Sequence, residues 1–344
     1  MRRSSNHDSL PSREPGEQKL IQRIRDLQGH KSFAALALGI GDDCAVLEQR
    51  RNEQIVITTD LSIEGRHFQL DWHPPEVVGH RTLARGLSDL AAMGARPLAA
   101  FLSLGLPRVL TLSTGRKPAW LDRFFEGFFA LAKSHGTPLA GGDLAQAPLA
   151  VADIVLVGAV PRGRALLRSG ARAGDRLYVT GSLGGAAAGL AKLNELARRT
   201  GSKPLSIAGR MRPLLAAHFH PLPRLAQGLW LREHRAATAA IDLSDGLSVD
   251  LAHLCEESGV GAELDAAHLA IAEGATLAQA LHGGEDYELL FAAPAQMRIP
   301  RTIAGVAITP IGRAVSRRRG QAAIVLRTER GFEPLEPRGW QHFD

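Results

Sequence analysis

Hydrophobic positions recur with helical spacing in three segments of the first half of the chain. In residues 17–29 they share one face before Gly29, which predicts an amphipathic opening helix. Residues 75–94 continue the same pattern up to Gly94. The third segment, residues 120–136, carries large side chains at this spacing: Trp120, Phe124, Phe125, Phe128 and Leu131. Such a stripe is typical of a buried helix face, so we expect these residues in the core.

Runs of apolar and β-branched residues predict the strands. In the first half they are residues 45–60, interpreted as two short strands around a polar turn, followed by 98–107 and 149–160. The second half predicts strands at 176–181, 237–243, 287–293, 308–312 and 322–328, with helices at 182–197 and 245–259. Since strands and helices mix without strict βαβ alternation, each half is predicted to be α+β.

An arginine- and glycine-rich segment, residues 161–175, separates the two halves and is typical of a linker or a crossing loop. The length of 344 residues, about twice that of a typical domain, also favours two domains. We therefore predict a disordered polar extension at 1–16, an N-terminal domain at 17–161 and a C-terminal domain at 162–344.

Composition and charge disfavour several classes of protein. No apolar run reaches the roughly 20 residues of a spanning helix, so we expect no membrane. The first residues lack the apolar core of a secretion signal, and only Cys44 and Cys255 occur, which favours the cytoplasm. The net charge is +6, but the arginines gather near the two ends without interleaved aromatic residues, so we expect no nucleic acid. A basic rim that attracts phosphorylated small molecules is the main alternative to a merely solvated surface.

Acidic residues recur beside glycine or at the ends of apolar runs in both halves. They are Asp42, Asp43, Asp60, Asp89, Asp143, Asp242, Asp245, Glu285 and Asp286. A carboxylate near apolar surroundings is costly unless a charge compensates it. Mg²⁺ prefers oxygen ligands and is commonly held by a few carboxylates together with substrate phosphates. The pattern indicates a site for several metal ions and a phosphate between the two domains.

Simpler explanations stay open for single acids. Asp89 lies inside a predicted helix, where a solvated face or a capping role is usual, and Asp245 and Asp143 suit a helix N-cap and a turn. Asp43 and Asp286 are the second members of adjacent pairs and, in a strand, would point away from the first.

Other phosphate and hydrolase signatures are weak or missing. The sequence has neither a Walker A motif nor a complete dinucleotide fingerprint, and no serine stands in a G-x-S-x-G elbow. The GSLGG segment at 181–185 could hold a phosphate, but glycines that allow close helix packing explain it equally well.

Eight motifs in order resemble one known family, the thiamine-monophosphate kinases of the aminoimidazole ribonucleotide synthetase superfamily. They are GIGDDCAVL, ITTDLSIEGRHF, LSDLAAMGARP, AGGD, GRALLRSGARAGD, IDLSDGLSVDLAHL, GGEDYELLF and RGWQHF, spread over about residues 17–343. The resemblance implies a two-domain α+β subunit of the PurM-like type, with an N-terminal domain that mediates homodimerisation and a C-terminal α/β domain. It also implies transfer of a phosphoryl group from ATP to thiamine monophosphate with several Mg²⁺ ions.

The resemblance also assigns roles to single residues. Those matching the magnesium ligands are Asp42, Thr58, Thr59, Asp60, Asp89, Asp143, Asp242 and Asp245. Those matching the ATP contacts are Gly142, Asp143, Arg168 and Ser244, and those matching the thiamine pocket are His67, Glu285 and Trp340. The chain departs from the family pattern in its N-terminal extension, in the TGRKPAW stretch at 114–120 and in Trp340, where a smaller aromatic residue is expected.

The expected mechanism follows from charge. Both reactants are anions and the acceptor is already a phosphate oxygen, so no strong base and no covalent catalytic residue are expected; positioning and metal electrostatics suffice. The alternatives are an aminoimidazole ribonucleotide synthetase-like ligase and a non-catalytic sensor of thiamine phosphates. The EGRHF and GWQHF segments disfavour the ligase, and the retained acids disfavour the sensor.

Overall fold

The computed structural model describes residues 17–29, 33–40, 44–115, 117–200, 212–317 and 323–340. Its helices are α1 (Glu17–Gln28), α2 (Pro75–Ala92), α3 (Trp120–Ser134), α4 (Gly185–Thr200), α5 (Arg212–Phe219), α6 (Leu225–Glu233), α7 (Leu247–Ser258) and α8 (Leu277–His282). Its strands are β1 (Leu36–Leu38), β2 (Val46–Leu47), β3 (Glu53–Ile63), β4 (Arg96–Leu106), β5 (Leu139–Gln146), β6 (Val151–Pro161), β7 (Arg176–Thr180), β8 (Ala239–Asp242), β9 (Val260–Asp265), β10 (Leu289–Ala293), β11 (Thr302–Ile303), β12 (Val306–Ser316), β13 (Ile324–Thr328) and β14 (Gly331–Pro334). Among the described helices, none is long and apolar enough to cross a bilayer.

A four-stranded sheet in the order β3-β6-β4-β5 forms the first half of the molecule. Strand β6 runs antiparallel to both of its neighbours, whereas β4 and β5 are parallel. Helices α2 and α3 cover one face of this sheet. Phe124, Phe125, Phe128 and Leu131 of α3 are buried there, as predicted, and Trp120 is partly buried against them. The sheet therefore has an inner face toward α2 and an outer face without a helix in the described residues.

The second half is built on a larger sheet in the order β14-β13-β9-β12-β7-β10-β8, with β11 paired to β12. Its two faces enter different cores, because neighbouring residues of a strand point to opposite sides. Tyr178 and Phe291 join the core that contains α2 and α3, whereas Val179 and Leu290 pack in the core of α7. Helix α2 thus lies between the two sheets and contacts both halves.

Close helix packing around α2 depends on glycine. A Cβ on Gly79 would lie 1.9 Å from the backbone oxygen of Phe124, and one on Gly127 would lie 1.9 Å from that of Glu76. The backbones of α2 and α3 are therefore in direct contact at these two positions. This arrangement fixes α2, whose other side faces the C-terminal half.

The structure confirms the α+β prediction and most of the predicted elements. The segment around AGGD, where a turn at Asp143 was one explanation and no strand was predicted, is strand β5, which pairs in parallel with β4. The two strands expected at 45–60 exist as β2 and β3, but β2 pairs with β1 and not with β3. Strands β1, β9 and β14 were not predicted, because their runs are short or polar. The predicted extension at 1–16 lies outside the described residues.

Candidate active site

A cavity of about 860 Å³ lies between the two halves of the molecule. Its walls bring together most of the residues that the sequence singled out: Thr59, Asp60, His67, Asp89, Asp242, Ser244, Asp245, Glu285 and Trp340. The first four come from the N-terminal half and the others from the C-terminal half. Convergence of acids from both halves on one cleft, which the sequence pattern required, is therefore observed.

Helix α2 supplies a charged stripe to this cavity. Arg81, Arg85 and Asp89 are spaced by four residues, which places them on one side of the helix. Arg85 and Asp89 line the cavity, and Arg81 lies buried behind it. Because α2 is otherwise packed in the core, these side chains are held on a rigid element.

Two carboxylates of the cavity, the half-buried Asp89 and the buried Asp242, lie close enough for the charge of Asp242 to act on Asp89. The Thr58 hydroxyl donates a hydrogen bond to Asp89 Oδ2, and the Ser88 hydroxyl donates to Asp242 Oδ2 at 2.7 Å. Burial raises the pKa of each carboxyl to about 7, and for Asp89 the negative charge of Asp242 adds to this effect. We call Asp89 and Asp242 the carboxylate pair; among the described residues neither has an arginine or lysine partner within ion-pair distance.

The side chain of Asp250 holds the loop between β8 and α7 in place. Its Oδ2 accepts hydrogen bonds from the backbone N–H groups of Asp245 and Gly246, at 3.1 and 3.0 Å. Burial, together with the charge of Asp245, raises the pKa of Asp250 to about 7. Since Gly246 is the N-cap residue of α7, Asp245 does not cap this helix, and its side chain lines the cavity instead. Sequence reasoning missed Asp250.

Two other acids of the cavity are paired with arginine. Arg85 Nη2 lies 2.6 Å from Asp60 Oδ1, and Arg81 Nη2 lies 2.5 Å from Glu285 Oε1. Arg81 also donates to the backbone oxygen of His218. We call these two ion pairs the arginine pairs. Each joins an α2 arginine to an acid on another element, and the second crosses between the halves.

A buried pair of histidines adjoins the Arg81 contact. His73 Nε2 and His218 Nε2 are 3.1 Å apart, so one ring donates and the other accepts. Burial, followed by the charge of Arg81, lowers the pKa of His73 to about 3 and that of His218 well below its usual value. Both rings are therefore neutral at physiological pH.

The predicted thiamine contacts lie on loops around the same space. His67 Nδ1 accepts a hydrogen bond from the Ile63 backbone at 3.0 Å, which fixes the ring at the cavity wall. The backbone N–H of Trp340 donates to the backbone oxygen of Asp245 at 3.3 Å, and the side chain of Trp340 is 45 % exposed at the rim of the cavity. Glu285 has φ +69°, a conformation that L-residues rarely adopt and that marks the GGEDYE loop as constrained.

The GSLGG segment is occupied by a side chain of the protein itself. Asp286 accepts hydrogen bonds from the backbone N–H of Gly184 at 2.6 Å and of Ala186 at 3.1 Å. A Cβ on Gly184 would also lie 2.7 Å from the Ala280 backbone nitrogen. These contacts favour the packing explanation of the glycines and leave two fewer amides for a phosphate.

Not every predicted site residue reaches the cavity. Thr58 lies behind it and contacts Asp89. Arg168 acts on Asp89 and Asp242 through its positive charge, which favours a lower pKa of both acids, but burial has the larger effect and their pKa stays raised. Asp143 is on β5, in register with Ser103 and, through it, with Asp153 and Leu61.

This register places Asp143 on the outer face of the sheet, whereas Asp60 is in register with buried Ile154 on the inner face. Gly142, with φ +150°, precedes Asp143 on β5 and lies against the backbone of Leu102 on the neighbouring strand β4. Asp42 lies outside the described residues.

The donor set suits a hard divalent cation. Within the described ranges, which omit Asp42, no three Asp, Glu, His or Cys side chains form a ready-made metal site. However, the carboxylate pair supplies oxygen ligands, and burial opposes their ionisation. A divalent cation whose coordination shell is completed by substrate phosphates would compensate the negative charge of the two carboxylates. The residues present therefore fit Mg²⁺.

Comparisons with known proteins agree with this architecture. The chain matches the family described as AIR synthase related protein, N-terminal domain, over residues 41–160, and its C-terminal domain over residues 172–325. Fold and site together define the class: a two-domain AIR synthase related protein with a cavity between its domains.

The curated relatives carry a more specific name than the family models do. The thiamine-monophosphate kinase of Escherichia coli (strain K12) is 39 % identical over 342 residues, covering 95 % of this chain and 98 % of that protein. The thiamine-monophosphate kinase of Bacillus subtilis (strain 168) is 31 % identical over 335 residues, covering 94 % and 98 %. The chain belongs to the thiamine-monophosphate kinase family, and it is an enzyme.

Solved structures give the same result. Thiamine-monophosphate kinase from Stenotrophomonas maltophilia K279a has a TM-score of 0.75 at 36 % identity, covering 89 % of this chain and 95 % of that one. AaThiL complexed with AMPPCP and TMP has a TM-score of 0.71 at 29 % identity, covering 98 % and 100 %. Hydrogenase maturation protein HypE in complex with ATP, at 18 % identity and a TM-score of 0.70, shares the fold.

Proposed function

We propose that this enzyme transfers the γ-phosphoryl group of ATP to the phosphate of thiamine monophosphate in the presence of Mg²⁺, giving thiamine diphosphate. The observation that carries the proposal is the single cavity lined by Asp60, Asp89, Asp242 and Asp245 together with His67, Glu285 and Trp340. The names of the relatives and the AMPPCP and TMP complex of a family member support the choice of substrates.

The residues that would hold Mg²⁺ are Asp60, Asp89, Asp242 and Asp245, with Thr58 and Thr59, which precede Asp60 on strand β3. When bound, the metal would neutralise phosphate charge and keep the two anionic reactants together. Asp42 and Asp143 remain proposed ligands from the family resemblance; Asp143 lies on the outer sheet face, so its contribution depends on what packs there.

The protein's own residues would act by positioning. We assign Ser244, Arg168, Gly142 and Asp143 to ATP, and His67, Glu285 and Trp340 to the thiamine moiety. Transfer would be direct, because the acceptor oxygen of a phosphate monoester is ionised at neutral pH and needs no general base. The neutral His73 and His218 pair has no proton-transfer role in this scheme.

A second copy of the chain would complete the assembly. Strand β3 is an edge strand whose outward side chains Ile55, Ile57 and Leu61 are 40, 64 and 44 % exposed. An exposed apolar edge of this kind is normally covered in solution. We propose a homodimer through this face, and sedimentation velocity of wild type and Ile57→Asp would test it: the variant should sediment as a monomer.

The location would be the cytoplasm, where thiols stay reduced. Cys44 and Cys255 are both free cysteines, one exposed and one buried, which fits a reducing compartment.

Incubation with ATP, MgCl₂ and thiamine monophosphate, followed by chromatography, tests the function directly. We expect thiamine diphosphate and ADP in equal amounts. Binding of thiamine monophosphate without any turnover would instead identify a sensor, and consumption of ATP without thiamine diphosphate would point to a ligase.

A further inference from the structure

Arg85 is the arginine of α2 that faces the cavity directly. Its side chain is 14 % exposed, and its Nη2 lies 2.6 Å from Asp60 Oδ1. The remaining donors are poorly used: Nη1 is 3.4 Å from Ser62 Oγ, and Nε is buried without a hydrogen-bond partner among the described residues. The protein alone therefore does not saturate this guanidinium.

The position of Arg85 along α2 relates the two ends of the cavity. One turn before it, Arg81 holds Glu285, the proposed thiamine contact. One turn after it, Asp89 belongs to the carboxylate pair. Each step of four residues advances about 6 Å along a helix, so Arg85 lies midway between the ring end and the metal end. The phosphate of a bound thiamine monophosphate must also lie between these ends.

A simpler role for Arg85 is that of a fixed counter-ion for Asp60. That role does not require the side chain to line the cavity, nor does it use the planar fork of N–H groups that matches a phosphate. A divalent cation at Asp60 would compete with the guanidinium for the same carboxylate. Arg85 would then have N–H groups available beside the incoming phosphate.

We propose that Arg85 binds the phosphate of the acceptor substrate, exchanging Asp60 for this phosphate when Asp60 takes up Mg²⁺. The proposal rests on the proposed function, since it assigns one residue to the acceptor of that reaction. Arg85 is then a substrate-binding residue that makes the protein prefer thiamine monophosphate, the phosphate ester, over thiamine, the free alcohol.

The test compares thiamine monophosphate with thiamine, which lacks the phosphate. Calorimetry would measure binding of each to the full-length wild type, Arg85→Gln, Arg85→Lys and the control Arg123→Gln, with and without MgCl₂. Arg123 also pairs with a carboxylate, that of Glu76, but lies on α3 away from the cavity. Losing charge-assisted hydrogen bonds to a phosphate should weaken binding of thiamine monophosphate to Arg85→Gln about tenfold or more.

Thiamine should bind wild type, Arg85→Gln and Arg123→Gln equally, which also shows that the variants are folded. Arg85→Lys keeps the charge without the fork and should be intermediate. In the wild type, MgCl₂ should increase the preference for thiamine monophosphate over thiamine, and in Arg85→Gln it should not. In kinetics, the KM for thiamine monophosphate should rise while the KM for ATP changes less than about twofold, because the lost bonds go to one substrate only.

An unchanged preference for thiamine monophosphate in Arg85→Gln would overturn the proposal, as would an equal loss of both ligands. A wild-type preference that does not respond to MgCl₂ would overturn the exchange of partners. If the wild type neither binds nor phosphorylates thiamine monophosphate, the proposed function itself fails, which is a separate outcome.

Discussion

Two groups of acids in the cavity, those of the arginine pairs and those of the carboxylate pair, differ in their partners. At the arginine pairs, Asp60 and Glu285 each lie within 2.6 Å of an α2 guanidinium. At the carboxylate pair, the hydrogen bonds that Asp89 and Asp242 receive from side chains of the described residues come from the hydroxyls of Thr58 and Ser88, and burial raises the pKa of both acids to about 7. Both groups of acids place negative charge in the cavity, but only the arginine pairs hold it in an ion pair; the charge of Arg168 acts on the carboxylate pair more weakly than burial does.

This difference distinguishes acids that form an ion pair within the protein from acids that do not. A buried acid that is paired with arginine holds two elements in place, and breaking the pair leaves an uncompensated charge. A buried acid without a cationic partner costs stability when it ionises, unless a bound cation compensates it. The Arg81–Glu285 pair should therefore set the shape of the cavity, and the carboxylate pair, together with Asp60 once it leaves Arg85, should set its affinity for metal.

The largest effect is expected at the carboxylate pair, in turnover. Asp242→Asn keeps the size of the side chain but removes the charge, so kcat should fall by about a hundredfold or more while the fold is retained. Steady-state assays with saturating ATP and thiamine monophosphate, alongside circular dichroism, would measure this. Near-normal kcat in a folded Asp242→Asn variant would contradict the metal role.

A large effect on stability is expected at the arginine pairs. Arg81→Gln removes the buried partner of Glu285 and the donor to the His218 backbone, and should lower the free energy of unfolding by about 3 kcal/mol. Urea unfolding followed by fluorescence would measure it. The KM for thiamine monophosphate should rise as well, because Glu285 loses its support.

The pH dependence of stability should further distinguish the carboxylate pair from the arginine pairs. The pKa of Asp242 is about 7 in the folded protein and near 3.8 when unfolded, so the folded state holds the extra proton between these values. This contribution to stability is full below about pH 4 and is lost as the pH rises to about 7.

We therefore expect metal-free wild type to lose more stability than Asp242→Asn over this range. Comparing the two proteins cancels the opposing contribution of the buried histidines, whose lowered pKa values they share. Thermal unfolding in a chelating buffer from about pH 5 to about pH 7 would show the difference. Added MgCl₂ should stabilise the wild type and not the variant; parallel pH profiles would argue against a buried ionisable Asp242.

The smallest effect is expected at an exposed ion pair of similar geometry. Arg123 donates two hydrogen bonds of 2.9 Å to Glu76, but the two side chains are 40 and 34 % exposed. Arg123→Gln should cost less than about 1 kcal/mol and leave both KM values unchanged. If urea unfolding gave Arg81→Gln and Arg123→Gln the same cost, burial would not be what makes the arginine pairs structural.

Local sequence patterns predicted much of this molecule. The stripe on α3, the helix before Gly94 and the strand that ends near Pro161 all follow from spacing over a few residues, and the structure contains each of them. The acids beside glycine were also a usable signal, since four of the predicted metal ligands, Asp60, Asp89, Asp242 and Asp245, line one cavity.

Contacts distant in sequence were not predictable in the same way. The GGD segment became strand β5 because it pairs with β4, which local propensity does not encode. Arg81, Arg85 and Asp250 were missed, although the four-residue spacing of Arg81, Arg85 and Asp89 in an otherwise apolar helix was a signal that could have indicated a charged face.

The sequence by itself determined which chemical groups are available and on which elements they stand, because residue type and local periodicity are properties of neighbouring residues. Only the tertiary structure decided which acid forms an ion pair with arginine. Asp60 and Asp242 look alike in the sequence, yet packing of α2 between the two sheets brings a guanidinium into contact with the first and the Ser88 hydroxyl into contact with the second. Likewise, the strand pleat and register place Asp60 and Asp143 on opposite faces of one sheet.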